Sequence, residues 1–179
     1  TYINAPKAEL FGVELEFRTR FDMPLQQQWF VDRDWIFSTN YTYTSAELVV
    51  DPTDLAFSGS ENRDILATDL GLNDGDKLQG TPENIFNLQF GWETDVEQAT
   101  LLVGWVDERI LQRGDARLGL EDVLEDPGIQ VDLVYRRDFR VLNRDLTLGL
   151  SARNLLDEAH EEFINTQTDV GRVEFNTYD

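Results

Sequence analysis

DLTLGLSARNLLDE, residues Asp145 to Glu158, is the stretch whose reading decides the fold. Leu146, Leu148, Leu150 and Ala152 fall on one face of an extended strand, and Thr147, Gly149, Ser151 and Arg153 on the other, because side chains alternate along a β-strand. An aliphatic face opposite a small, polar one is what a barrel strand presents when lipid lies outside and water inside. The strand then leaves through Asn154-Leu155-Leu156-Asp157, a polar exit toward a loop.

The same alternation recurs upstream. In Ala8 to Phe21, Phe11, Val13, Leu15, Phe17, Thr19 and Phe21 share one face, and Glu14, Glu16, Arg18 and Arg20 share the other. A soluble sheet with one wet face gives the same pattern, so this strand alone leaves both readings open. From Asp34 to Val50, Trp35, Phe37, Thr39, Tyr41 and Tyr43 alternate with Ile36, Ser38, Asn40, Thr42 and Thr44. Asn84, Phe86, Leu88, Phe90 and Trp92 form an apolar-leaning face of the next strand. Ala99 to Leu111 is apolar on both sides, and Ile129, Val131, Leu133 and Tyr135 alternate again. The connections run moderate (Asp22 to Arg33), long (Asp51 to Gln79), short (Thr94 to Gln98), long (Gly114 to Gly128) and short (Phe139 to Arg144), then long again after Asp157. Outer-membrane barrels keep short turns on the periplasmic rim and long loops outside; a soluble meander has no reason to alternate so regularly. On the proposed lipid face, Trp35, Trp92 and Tyr135 lie near short-turn ends, and Tyr41, Tyr43 and Trp105 nearer long-loop ends. Two aromatic girdles around an aliphatic band are expected at the two membrane interfaces.

Composition narrows the function classes. The 179 residues carry 15 Lys+Arg against 35 Asp+Glu, a formal net charge of -20. That argues against nucleic acid, which needs a basic face, and against docking on anionic lipid through a basic patch. There is no cysteine and a single histidine, His160, so thiolate zinc, disulfides, cysteine nucleophiles and multi-histidine metal sites are all excluded. No run reaches the roughly 18 apolar residues of a spanning helix, and no stretch of these residues reads as a signal peptide. Thr1 is not a natural start, so the chain is expected to be mature or a piece of something longer. Asn73-Asp74-Gly75-Asp76 reads as a turn rather than a calcium loop, because the spacing from Asp69 puts Gly71 where a ligand is required. His160 among Glu158, Glu161 and Glu162 reads as a solvated loop face, as do Glu121 with Asp122 and Glu125 with Asp126. No metal and no cofactor are expected. Nor is an enzyme: there is no G-x-S-x-G, no histidine cluster and no glycine-rich phosphate loop.

Four phrases in order carry a resemblance. They are Asn40-Tyr41-Thr42-Tyr43-Thr44, Gly80-Thr81-Pro82-Glu83-Asn84, the NLLD ending at Asn154 to Asp157, and a tail with His160 to Phe163, Gly171-Arg172 and Phe175-Asn176 before Tyr178. Together they resemble the C-terminal barrel strands of TonB-dependent outer-membrane receptors. The fold expected is all-β, an antiparallel up-and-down transmembrane β-barrel segment with long extracellular loops. Six strands are read where the family has about 22 around a plugged lumen. Residues 1-179 are therefore expected to be a C-terminal portion, with the plug domain and the final strand outside the chain. In the tail, Phe163 to Thr166 and Arg172 to Asn176 are expected to pair across Asp169-Val170-Gly171. The resemblance implies binding of a scarce solute outside, such as a ferric siderophore, cobalamin or a glycan, and its passage to the periplasm with energy from the TonB complex. Outer-membrane lipid is the other partner. Glu14, Glu16, Arg18 and Arg20 would face the lumen and meet the plug. The competing readings are a passive channel or adhesion barrel and a soluble β-sandwich that binds glycans.

Overall fold

Alternation becomes register in the computed structural model, which describes residues 3–4, 6–59, 61–115, 118–165 and 172–178. The strands are β1 (Ile3–Asn4), β2 (Ala8–Phe21), β3 (Asp34–Leu48), β4 (Leu55–Ser58), β5 (Arg63–Leu66), β6 (Asn84–Glu93) and β7 (Glu97–Val106). They continue with β8 (Arg109–Gln112), β9 (Val123–Asp126), β10 (Ile129–Val141), β11 (Arg144–Ala152), β12 (His160–Asn165) and β13 (Arg172–Tyr178). One helical turn, α1 (Gln28–Val31), and a 3-10 turn at Thr68–Leu70 complete the elements. Among the described residues no helix is long and apolar enough to cross a membrane, which says nothing of strands.

The wall is a six-stranded antiparallel meander in the order β11-β10-β7-β6-β3-β2. The barrel is not closed within this chain; β2 and β11 are its two edges. Directly paired residues share a face, so the register sorts the side chains. Phe17 pairs Thr39, Thr39 pairs Leu88, Leu88 pairs Val103 and Val103 pairs Val131. One row toward the short turns, Phe37 pairs Phe90, Phe90 pairs Leu101, Leu101 pairs Leu133 and Leu133 pairs Ala152. Most of the outer side is built this way from aliphatic and aromatic residues, with Thr19, Thr39, Asn84, Glu97 and Arg137 among them. The inner side carries Glu14, Glu16, Arg18 and Arg20, then Ser38, Asn40, Asn87, Gln89, Gln130 and Asp132. No second sheet packs on the apolar side among the described residues. Phe17 is 57% exposed and Leu148 44%, with Leu88 half-buried beside them on the same open surface. A sandwich would have sealed all three, so the competing soluble β-sandwich reading finds no support here.

Connections alternate as expected. The wall strands are joined by residues 22–33, 49–83, 94–96, 107–128 and 142–143. The last is a two-residue hairpin with Leu142 at φ 49° and Asn143 at φ 59°, the left-handed pair that a tight type I′ turn requires.

The long connections are not loose. Residues 49–83 contain β4, which pairs with β1 on one side and β5 on the other; Val50, Ala56, Ala67, Leu70 and Leu72 form a small core with Leu48 at the end of β3. The strand read from Ala99 to Leu111 is two. It breaks at Asp107, where Asn84 Nδ2 donates to the Asp107 carboxylate at 2.8 Å and the Asp107 amide to the Asn84 carbonyl at 2.9 Å. Beyond the break, β8 joins β9, β12 and β13 in a second sheet, in the order β13-β12-β9-β8. The expected tail hairpin is β12 with β13; its crossing at Asp169-Val170-Gly171 lies outside the described residues.

Candidate functional site

The inner face is the first candidate surface. Glu14, Glu16, Arg18 and Arg20 lie at alternate positions of β2 and all are exposed. Glu14 accepts from Asn40 Nδ2 at 2.6 Å, and Arg20 pairs with Glu93 at 2.9 Å. Glu16 and Arg18 have no hydrogen-bond or ion-pair partner among the described residues. Toward the centre of the sheet the charges give way to amides. Asn40, Asn87, Gly104 and Gln130 form one cross-strand row. With Ser38 and Gln89 they line a groove of about 350 Å³. At Gly104 an added Cβ would meet only Asn87 Oδ1, at 3.7 Å, so the missing side chain opens that row. Such a surface offers amide donors and acceptors to a polar partner without committing to a charge.

The six aromatics singled out by sequence share the outer face. Trp35, Trp92, Ala99 and Tyr135 stand in one row, and Tyr41, Phe86, Trp105 and Ile129 in another. Tyr43 pairs Asn84 one step further out. Tyr41 donates its hydroxyl to Asn84 Oδ1 at 2.6 Å, and Tyr135 donates to Glu97 Oε1 at 3.0 Å.

The long-connection side carries the third surface, a folded cap. The connection 49–83 is fastened to 107–128. Gly80 N donates to the Ile110 carbonyl at 2.8 Å and Gln79 Nε2 to the Leu111 carbonyl at 2.9 Å. Arg113 reaches Asp76 at 3.4 Å and Asp122 at 3.5 Å, and donates to the Lys77 carbonyl. Lys77 in turn pairs with Glu83 at 2.7 Å, and that hydrogen bond holds its ammonium above the ordinary lysine range. The Asn73–Asp76 segment is a turn. Asp76 Oδ2 accepts from the Asn73 amide at 2.9 Å, Asp74 Oδ1 from the Val50 amide at 3.2 Å, and Gly75 takes φ 81°. Among the described residues no three His, Cys, Asp or Glu side chains converge where an ion would sit.

Two residues read as solvated are not. Glu125 is 7% exposed. It takes Arg109 Nε at 2.6 Å on one oxygen and His160 Nε2 at 2.8 Å on the other. These groups come from β8, β9 and β12. A carboxylate this deep needs partners on both oxygens, and no local sequence signal links residues so far apart.

The family model of the TonB dependent receptor-like β-barrel matches residues 1–155. The chain belongs to that family. It is therefore part of a bacterial outer-membrane barrel. The family is one of transporters rather than enzymes. No curated protein matches the chain, and no solved structure does.

Proposed function

We propose that this chain is a C-terminal stretch of barrel wall, with its extracellular cap, from an active transporter. The receptor binds a scarce solute outside and passes it to the periplasm with energy delivered by TonB. The observation that carries the reading is the register: six strands gather mostly apolar side chains on one side and most of their charges and amides on the other, with Ile36, Ile85, Leu102, Val106 and Val134 among the apolar exceptions there. Glu14, Glu16, Arg18 and Arg20 meet the plug across the lumen. Ion pairs this exposed are worth on the order of 1 kcal/mol or less each, which suits a plug that must loosen. The cap, held in one shape by Arg113 and the second sheet, presents the solute-binding rim. Its acidity favours a neutral or cationic solute over a strongly anionic one.

Trp92 and Tyr135 sit at the periplasmic interface, with Trp35 of the same row covered by residues 29–30, and Tyr41, Tyr43 and Trp105 sit at the outer one. Trp35 and Tyr43 are eight residues apart on β3. That is roughly 26 Å along the strand and about 20 Å of depth at the usual tilt. The apolar band of such barrels is about 25 Å tall, so the two girdles lie just inside its two edges.

Reversing Arg18 and Arg20 to Glu in the intact receptor tests the lumen assignment. It places new carboxylates beside Glu14, Glu16 and Glu93. Uptake of labelled solute is expected to fall by a few-fold, with the barrel still assembled. Unchanged uptake and unchanged plug retention in that variant overturn the assignment.

A further inference from the structure

The connection 22–33 does not hang away from the wall. Its helical turn α1 folds back over the outer face. The Trp29 ring lies 5.3 Å from Trp92 and 6.1 Å from Trp35. Phe30 stacks on Trp35 at 5.9 Å, and Trp35 Nε1 donates to the Phe30 carbonyl at 3.1 Å. Trp35 is consequently only 3% exposed, although the register turns it outward.

Arg33 locks the turn in place. Its guanidinium lies 4.1 Å from the centre of the Trp29 ring, and Nη1 donates to the Trp29 carbonyl at 2.6 Å. Nη2 pairs with Glu97 at 3.1 Å, the residue whose other oxygen holds Tyr135. The turn is thereby tied to β6, β7 and, through Glu97, to β10.

Beside the exposed Gln26, Gln27, Gln28 and Asp32, α1 and its approach leave three large apolar side chains uncovered. Leu25 is 46% exposed, Trp29 46% and Val31 63%. A connection meant for periplasmic water has no use for three such side chains. Trp29, packed on Trp35 and Trp92, extends the apolar face past the row of Trp35, Trp92 and Tyr135. An indole, aliphatic side chains and an arginine with its stem laid on aromatic rings suit the boundary between acyl chains and headgroups.

We propose that residues Leu25 to Arg33 form an interfacial foot, with Leu25, Trp29 and Val31 inserted at the phospholipid surface of the periplasmic leaflet. The foot sets the depth at which this part of the wall rides in the membrane. It rests on the outer-membrane barrel reading of the wall.

The test uses the intact receptor in phospholipid vesicles, with spin labels at Val31→Cys and, independently, Leu25→Cys. The chain supplies no competing thiol. Asp95→Cys, in the 94–96 turn, serves as the aqueous reference, and Phe17→Cys as the wall reference. Collisions with oxygen, which concentrates in lipid, are compared with those of a water-soluble nickel chelate. The foot predicts that oxygen dominates at Val31, Leu25 and Phe17, and the chelate at Asp95. If Val31 and Leu25 behave like Asp95 while Phe17 stays in the oxygen-rich phase, the foot is wrong and the barrel reading stands. If Phe17 is also wet, the wall assignment falls and the foot with it.

Discussion

Leu88→Arg is expected to cost about 2–4 kcal/mol of folding stability in a bilayer, the penalty for a guanidinium on the lipid face near mid-depth. Leu88 stands in the middle of β6, in the row Thr39, Leu88, Val103 and Val131. The neighbouring Gln89 faces the lumen groove. Gln89→Arg is therefore expected to cost no more than about 0.5 kcal/mol. Urea titration of the intact receptor folded into phospholipid vesicles measures both. The contrast between adjacent positions matters more than either value. Equal costs would mean that the two faces see the same environment.

Gly91→Val is expected to prevent β6 and β7 from pairing. An added Cβ at Gly91 would stand 2.2 Å from the Ala99 carbonyl oxygen and 3.0 Å from Thr100 Cα. Both contacts are backbone, so no side chain can swing aside, and the strands must separate. The expected loss exceeds the ~1–3 kcal/mol of ordinary overpacking. Gly149→Ala, on the same inner face of edge strand β11, has nothing within 4 Å of its new Cβ and is expected to be neutral. Electrophoresis of unheated samples reads the outcome, since a folded barrel and an unfolded chain migrate differently. A Gly91→Val receptor that assembles normally would contradict the pairing of β6 with β7 at Gly91 and Thr100.

The wall was legible because its physics is local. A strand with lipid on one side and water on the other must alternate, and β2 runs over Ala8–Phe21 as its alternation alone indicates. The short turns were legible for the same reason, since polar residues interrupt the period. The cap was not. Its core residues Leu48, Val50, Ala56, Ala67, Leu70 and Leu72 are scattered among Asp, Gly and Asn with no period of two or of 3.6. They meet only because β1, β4 and β5 pair. The Arg109, Glu125 and His160 cluster is equally non-local, and its members look solvated one at a time. The foot is a third case. A four-residue helix is too short to show periodicity, and only the crowding of Trp29, Phe30 and Trp35 marks it. Ala99 to Leu111 was read as one strand because Leu102 and Val106 make both faces apolar; the break depends on a hydrogen bond from distant Asn84.

The central claim is that one side of this six-stranded wall touches hydrocarbon. Photolysis of an apolar carbene precursor dissolved in the membrane, followed by mass spectrometry of the unmodified receptor, tests it directly. The account predicts adducts on Phe17, Phe86, Leu88, Phe90, Leu133 and Leu148, and none on Asn87, Gln89 or Gln130. Adducts spread evenly over both sets, or absent from Phe17, Leu88 and Leu148 together, would contradict it.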